Sequence, residues 1–209
     1  MPNLYEDANG VIRAVVDRLG SDLEPSILIG GWATFVRVGG EISLDIDLIT
    51  SQQSRHKLEQ MMTDLSPSNN HQGRKLRATF DDVHLDIYLP FESQLGSKLR
   101  LKVEVLAEYP DELSFEKWTL LRLEAHIGTK MAALLDRHYS EKGQKDAREI
   151  LALLKLEGVD PVIAAEVLDR ASTLDILNLP TMIGEAFDLI GAILPISKAD
   201  QKIVAAAKK

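Results

Sequence analysis

Residues 43–49, SLDIDLI, alternate acids with aliphatic residues, and this pattern restricts the possible fold more than any other in the chain. Successive side chains of a strand point to opposite faces of a sheet. The two leucines and the first isoleucine therefore share one face, while Asp45 and Asp47 share the other. The segment predicts a strand with one apolar face and one acidic face.

A glycine pair, Gly30 and Gly31, lies between an aliphatic run that predicts a strand and the segment WATFVRV, which predicts a helix ended by Gly39 and Gly40. At such a turn the backbone N–H groups and the positive end of the helix dipole face a ligand, and glycine has no side chain to block the approach. A phosphate group fits this turn. Many turns carry a glycine pair, so the pair is informative only together with the acids that follow it.

A third acid, Asp86, occupies the same kind of position in a later strand. Residues 74–90, RKLRATFDDVHLDIYLP, predict a hairpin in which two alternating runs flank the turn Asp81-Asp82. Asp86 lies on the polar face of the second run, opposite an aliphatic face. If this run pairs beside residues 43–49, we expect the three carboxylates to converge.

Three close carboxylates repel one another, and one or two divalent cations remove that repulsion. The ligands are all oxygens and the chain has no cysteine, which makes Mg²⁺ the first choice and Mn²⁺ a substitute. Two such ions about 4 Å apart would align an attacking oxygen with a triphosphate and stabilise the leaving pyrophosphate. Asp45, Asp47 and Asp86 are therefore the predicted metal ligands.

The hydrophobic period changes near residue 121, from mixed strands and helices to helices alone. The predicted fold is α+β, with a small sheet flanked by helices in a core at residues 1–110 and a C-terminal helical domain at residues 111–209. The other predicted elements of the core are a helix at 4–19 ended by Gly20, a helix at 58–65, and a strand at 98–106, with a short helix over VEVLAEYPDEL (residues 103–113) as the alternative. The C-terminal part is predicted to contain two long helices joined by the polar segment HYSEKGQKD, and tail helices broken at Pro161, Pro180 and Pro195.

A net charge of −8 in 209 residues argues against general binding of polyanions, but it leaves room for a local basic patch beside an acidic centre. The absence of cysteine excludes disulfides, thiolate nucleophiles and cysteine-ligated zinc. The first twenty residues mix acids and bases, and no run of about 18 apolar residues occurs. We expect a cytoplasmic protein with no membrane partner.

Three charged residues stand on helical faces that are otherwise apolar. Lys130 lies between Ile127 and Leu134 on one stripe, Arg137 follows on the same stripe, and Asp146 holds a similar place in the next helix. We expect all three to point inward, with Lys130 on phosphate oxygens and Asp146 holding Lys130 or the acceptor's hydroxyl in place. The alternatives are that the side chains of Lys130 and Arg137 extend to solvent, or that they form an internal salt bridge with Asp146.

The segment LIGGWATFVRVGGEISLDIDL resembles the signature of the nucleotidyltransferase fold shared with DNA polymerase β, in which a glycine pair is followed, after a spacer, by two metal-binding acids. Asp86 stands where those enzymes carry the third acid. Residues 125–154, AHIGTKMAALLDRHYSEKGQKDAREILALL, are similar to the lysine-containing helix and the Lys-Asp helix start of AbiEii-type nucleotidyltransferases, the toxin half of abortive-infection toxin–antitoxin pairs. The matching segments cover residues 26–155 and leave the tail unassigned.

This resemblance implies transfer of a nucleoside monophosphate from an NTP to an RNA, with tRNA as the expected class, Mg²⁺ or Mn²⁺ as cofactor, and a cognate antitoxin protein as partner. The catalytic residues that it implies are Asp45, Asp47, Asp86, Lys130 and Asp146. The residues that it implies for nucleotide binding are Gly30, Gly31, Lys130 and Arg137.

Two other functions remain open from the sequence. One is a nucleotide- or protein-binding module of the same fold that has lost turnover, and the other is a nucleotidyltransferase that modifies a protein. The intact acids favour an enzyme. The motif at residues 125–154 argues against a protein acceptor.

Two further features have both a structural and a functional interpretation. We expect Trp32 to lie in the core rather than to serve as a stacking platform for a base. Residues 73–77, GRKLR, with Arg55 and Lys57, form either a basic rim for an RNA backbone or an exposed charged face.

Overall fold

The structure, a computed structural model, describes residues 10–68, 74–111 and 119–209. The chain divides into two compact units, of which the first contains Met1–Gln94 and Ala107–Arg122 and the second contains Leu95–Leu106 and Leu123–Lys209. Residues 95–106 thus group with the C-terminal helices. The predicted domain boundary at residues 110/111 stays a prediction.

The described segments form nine α-helices, a short 3-10 helix (Gln52–Ser54) and eight strands. In chain order they are α1 (Val11–Asp22), β1 (Ile27–Ile29), α2 (Gly30–Val38), β2 (Asp45–Ile49), α3 (Arg55–Met61), β3 (Thr63–Pro67), β4 (Leu76–Phe80), β5 (Val83–Tyr88), β6 (Gln94–Leu95), β7 (Leu101–Lys102), α4 (Val103–Leu106), β8 (Thr119–Leu120), α5 (Leu123–Arg137), α6 (Glu141–Leu154), α7 (Pro161–Ala171), α8 (Asn178–Ile193) and α9 (Lys198–Ala207).

The first unit is built on a six-stranded sheet with the order β3-β4-β5-β2-β1-β8. β2 pairs with β5, and β1 with β8, in parallel, whereas the other neighbouring strands are antiparallel. The sheet is therefore mixed, and helices follow it in the second unit. The predicted α+β fold class, with a small mixed sheet followed by a C-terminal helical region, is confirmed.

The hydrophobic core of the first unit covers one face of this sheet. Ile46 and Leu48 of β2 are each 1% exposed and belong to one buried cluster with residues of α1, β4 and β5. The apolar face predicted from the alternation of β2 is thus the core face. Trp32 is 2% exposed in the same cluster and donates from Nε1 to the Ser43 carbonyl at 2.9 Å, which confirms its place in the core.

The predicted hairpin around two acids is also confirmed. β4 and β5 are antiparallel, and Phe80 is the register partner of Val83. Asp81 and Asp82 have φ angles of 47° and 63°. Two positive φ angles in a two-residue loop are typical of a type I′ turn, and aspartate tolerates this region better than most residues.

Two predicted helix ends in the first unit were wrong. Helix α1 continues through Gly20 to Asp22, because a glycine inside a helix costs about 1 kcal/mol and burial of Leu19 and Leu23 contributes more, about 1.5–3 kcal/mol each. Residues 4–9 of that predicted helix lie outside the described residues. Helix α3 ends at Met61, and Leu65 lies in β3, where pairing with β4 satisfies the backbone.

The second unit shows where the sequence patterns for helix starts were misinterpreted. The segment HYSEKGQKD is not a free link, because Ser140 caps α6 by accepting from the Gly143 N–H, and the helix begins at Glu141. Pro161 is the first residue of α7 and Pro180 lies in the first turn of α8, so these prolines begin helices rather than break them.

Both interpretations of residues 98–106 are correct in part. Leu101–Lys102 forms a strand and Val103–Leu106 a single helical turn. Only two residues of the alternating segment KLRLKVEVL therefore form a strand. Over the described parts of the chain, no helix is both long and apolar enough to cross a bilayer.

Candidate functional site

The acids of β2 and β5 lie side by side on the sheet face opposite the core. Asp47 and Asp86 are register partners in the parallel pair of strands, so their side chains leave the same face of the sheet from strands about 4.8 Å apart. Asp45 lies two residues before Asp47 and shares that face. Asp45, Asp47 and Asp86 are half-buried, which is intermediate between core and surface. The sequence-based placement of the three acids on one polar face is therefore correct.

Asp47 contacts the glycine turn between β1 and α2. Gly30 has a φ angle of +68°, and a Cβ atom added to it would lie 2.2 Å from the Asp47 Oδ2 atom. Real Cβ atoms do not approach oxygen so closely, so only glycine permits this contact. Ile29, the residue before the turn, is the register partner of Asp47. The carboxylate therefore lies directly against the start of α2, where Gly31 is buried as the second residue.

We expect Gly30→Ala to destabilise the first unit by about 2 kcal/mol or more, because it combines a strained φ angle with a clash against Asp47. Gly10→Ala is the matched control, since Gly10 has a φ angle of +67° and, among the described residues other than its chain neighbours, no heavy atom lies within 4 Å of an added Cβ. That variant should cost only the backbone term, about 1 kcal/mol. Urea unfolding followed by circular dichroism measures both, and equal losses would contradict the Asp47 contact.

Asp86 has two cationic partners that the sequence analysis missed. Lys75 Nζ lies 2.5 Å from Asp86 Oδ2, and Arg77 Nε lies 3.2 Å from Asp86 Oδ1. The signal was present in the predicted hairpin, because counting back from the turn makes Arg77 the register partner of Asp86 and puts Lys75 on the same face. Each oxygen of the Asp86 carboxylate thus accepts from one cation.

The basic segment at residues 73–77 contains both a buried and an exposed cation. Lys75 has only 9% of its side chain exposed and points at Asp86, whereas Arg77 is 48% exposed. Gly73 lies outside the described residues. Of the other predicted members of a basic rim, Arg55 is paired with Glu59 and Glu92. The prediction was wrong for Lys75 because its sheet register turns it toward an acid.

The acids of this face supply only oxygen donors for a divalent cation. Among the described residues, no group of three or more His, Cys, Asp or Glu side chains is arranged to hold a metal ion. Asp45 and Asp47 are oxygen donors of the kind that Mg²⁺ and Mn²⁺ accept, and with a nucleotide's phosphate oxygens they would suffice. The residues present therefore fit a nucleotide-borne ion better than an ion held by protein alone.

The second unit contains a separate buried network of charges. Lys130 has 5% of its side chain exposed, donates to Glu149 in a short hydrogen bond, and lies 3.5 Å from Asp146 Oδ1. Asp146 is 1% exposed. The predicted inward orientation of Lys130 and Asp146 is confirmed, and the internal salt bridge considered as the alternative is present. Glu149 was missed, although it follows Asp146 by one helical turn and so shares its face.

Arg137 differs from its prediction. Its side chain is 42% exposed, so it lies at the surface end of the network and does not point into the interior. It donates to Asp146 through two nitrogens, Nε at 2.7 Å and Nη2 at 3.0 Å. Arg137 is the last residue of α5, where its long side chain can cap the network and still touch water. Its predicted contact with the nucleotide stays a prediction.

Burial raises the pKa of the Glu149 carboxyl above its ordinary value, although Lys130 opposes this rise. Native protein therefore keeps a proton that the unfolded chain loses as the pH increases above about 4.5. The free energy of unfolding should fall as the pH rises through that window. Glu149→Gln should remove this part of the pH dependence, and urea unfolding at several values from about pH 4.5 to 7 tests it. Glu166→Gln, with 56% of the Glu166 side chain exposed, is the control and should retain the wild-type slope.

Comparisons with known proteins support the fold. No protein-family model and no curated protein matches the sequence. The solution structure of the antibiotic-resistance factor ANT(2'')-Ia aligns with 78% of this chain and 91% of its own length, with 18% sequence identity and a TM-score of 0.52. A crystal structure of ANT(2'')-Ia in complex with adenylyl-2''-tobramycin aligns with 96% of this chain and 94% of its own, with 16% identity and a TM-score of 0.36. The first of these alignments shows similarity of fold. The AbiEii-type resemblance stays a prediction.

Proposed function

We infer that this chain is a nucleotidyltransferase that moves a nucleoside monophosphate from an NTP to an acceptor hydroxyl. The observation that carries this inference is the contact of the Asp47 carboxylate with Gly30, at the start of α2. It puts a metal-binding type of side chain directly beside a turn whose N–H groups suit a phosphate. Few roles other than holding a triphosphate call for both features at one point.

In the proposed reaction the acceptor oxygen bonds to the α-phosphorus of the NTP. The bond from that phosphorus to the oxygen bridging to the β-phosphate breaks, pyrophosphate leaves with its electron pair, and the acceptor's proton passes to solvent. Asp45 and Asp47 would hold Mg²⁺ or Mn²⁺, which would neutralise charge on the phosphates. The turn at Gly30 and Gly31 would orient the phosphates.

For the second unit, the resemblance assigns catalytic roles to Lys130 and Asp146, and we carry these forward as proposals. The ion pairs of Lys130 and Asp146 determine what must change before Lys130 can bind a phosphate. Lys130 is already bonded to Glu149, so an ammonium that binds phosphate must exchange one partner for another. The raised pKa of Glu149 favours that exchange, because a carboxyl that protonates readily releases its cation.

We propose an RNA as the acceptor, with tRNA as the expected class and a toxin role restrained by an antitoxin. The similarity of residues 125–154 to AbiEii-type toxins supports this. A second acceptor class has its own support: the fold neighbour is an antibiotic-resistance factor, and a net charge of −8 suits a cationic antibiotic better than a polyanion. The inactive binding module also has support, because both oxygens of Asp86 are already paired with cations.

One experiment separates these functions. The protein is incubated with Mg²⁺ and each α-labelled NTP in turn, with total cellular RNA, with tobramycin, or with no added acceptor. Label on RNA supports the toxin-like enzyme, label on tobramycin supports antibiotic modification, and label on the protein supports a protein acceptor. Absence of label with all four NTPs, combined with stabilisation of the fold by NTP, would leave the binding module as the function.

A further inference from the structure

Asp47 and Asp86 are register partners on one face of the sheet, but their carboxylates lie toward different neighbouring strands. Asp47 Oδ2 lies against Gly30, on the side of β1. Asp86 is bonded to Lys75 and Arg77, on the side of β4. This divergence explains why the described residues contain no group of three acids arranged as a metal site. Asp86 is therefore bonded to Lys75 and Arg77 rather than grouped with Asp45 and Asp47 as a set of three metal ligands.

Lys75 is held at Asp86 by the fold and not by chance contact at the surface. Its side chain is 9% exposed, and its ammonium lies 5.8 Å from the centre of the Tyr88 ring. A buried ammonium needs a counter-ion, and Asp86 is the acid bonded to it at 2.5 Å. The antiparallel register of β4 and β5 fixes this arrangement, since residues 75, 77, 86 and 88 share one face.

We propose that Lys75 takes the place of a divalent cation at Asp86, so that the metal site of this sheet consists of Asp45 and Asp47 alone. The Lys75 ammonium already neutralises the acid, and its positive charge repels any ion that approaches the same oxygens. Asp86 is then a positioning residue that holds Lys75 and Arg77 beside Asp45 and Asp47. The proposal rests on the proposed function in one respect, that Asp45 and Asp47 bind metal.

The test is Mn²⁺ binding to the full chain in the presence of a non-hydrolysable NTP analogue, measured from the electron paramagnetic resonance signal of free Mn²⁺ after subtraction of the Mn²⁺ bound by the analogue alone. Lys75→Met should bind Mn²⁺ about tenfold more tightly than wild type, because it removes a positive charge and frees the Oδ2 oxygen of Asp86, while Arg77 keeps Oδ1. The double variant Lys75→Met with Asp86→Asn removes the ion pair without changing the net charge. It should return to the wild-type dissociation constant within about twofold.

The double variant distinguishes the two arrangements. If Asp86 is a metal ligand in the wild type, removing it together with Lys75 must weaken Mn²⁺ binding about tenfold or more, and that result would overturn the proposal. Failure of Lys75→Met to tighten binding would overturn it as well. Arg55→Met with Glu59→Gln, an exposed pair in the same unit, is the charge-matched control. Circular dichroism melting establishes that each variant is folded.

Mn²⁺ binding and nucleotide transfer test two different proposals, so their results can be interpreted independently. A chain that shows the expected order of Mn²⁺ affinities but transfers no nucleotide would support Lys75 and refute the proposed function. A chain that transfers nucleotide but loses Mn²⁺ in the charge-neutral double variant would support the function and refute the role of Lys75. The absence of Mn²⁺ binding in every variant would refute the proposal for Lys75.

Discussion

Asp45→Asn combined with Asp47→Asn lowers nucleotide transfer by about 10³-fold, if these acids hold the ion that neutralises the triphosphate. Asparagine keeps the size of each side chain and removes both charges, so the sheet should survive. The apolar face of β2, with Ile46 and Leu48 buried, is untouched. The effect should therefore appear in the transfer rate with labelled NTP and not in the thermal melt.

The control for this double variant is Asp81→Asn with Asp82→Asn. These acids lie in the same unit, in the β4–β5 turn, and their positive φ angles are as acceptable to asparagine as to aspartate. The change in net charge is identical in the two double variants. If both transfer nucleotide at the same rate, long-range charge explains any loss and Asp45 and Asp47 are not the ion's ligands.

The sheet could be predicted from the sequence because apolar and acidic residues alternate along two of its strands. Ile46 and Leu48 alternate with Asp45 and Asp47, and the same contrast recurs around Asp86. A one-residue shift of register would expose the aliphatic side chains and bury the acids, so the pattern permits one pairing face only. The pattern thus fixed which face of β2 and of β5 is apolar, whereas their parallel pairing is known from the structure.

Element ends were harder to predict, because local signals were weaker than the packing that overrides them. Leu65 follows Met62 by three residues, which fits a helix, yet the chain turns there into an edge strand. Gly20 was predicted to end α1, but buried leucines on both sides continue it. Pro180 disrupts a helix interior but not a first turn, and the sequence alone did not show which of these positions it occupies.

The acids of the candidate site were identified from sequence, but their cationic partners were not. Lys75 and Glu149 are charged residues in charged surroundings, and only pairing across a hairpin or between two helices brings each one to its partner. For Lys75 the hairpin register contained this information, since the two-residue turn fixes every opposing pair. For Glu149 the contact with Lys130 depends on how α5 packs on α6, which helical periodicity alone does not specify.

Asp146→Ala should destabilise the second unit by about 3 kcal/mol, the low end of the cost of breaking a buried ion pair. Asp146 is 1% exposed and has contacts with both Lys130 and Arg137. The cost is not larger because Lys130 keeps Glu149 as a partner and Arg137, with 42% of its side chain exposed, can be hydrated. The measurement is the free energy of unfolding in urea.

Asp188→Ala is the matched control, because Asp188 is also paired with a lysine of the second unit, Lys208, at 2.5 Å. Its side chain is 69% exposed, so its loss should cost less than about 1 kcal/mol. Equal losses in the two variants would show that Asp146 is not held in a buried network. The loss of stability in Asp146→Ala also sets the temperature at which its nucleotide transfer is measured. Only transfer measured on the fully folded variant can establish a catalytic role. Under that condition, full transfer by the folded variant would assign Asp146 to stability alone, and lost transfer would assign it to the reaction.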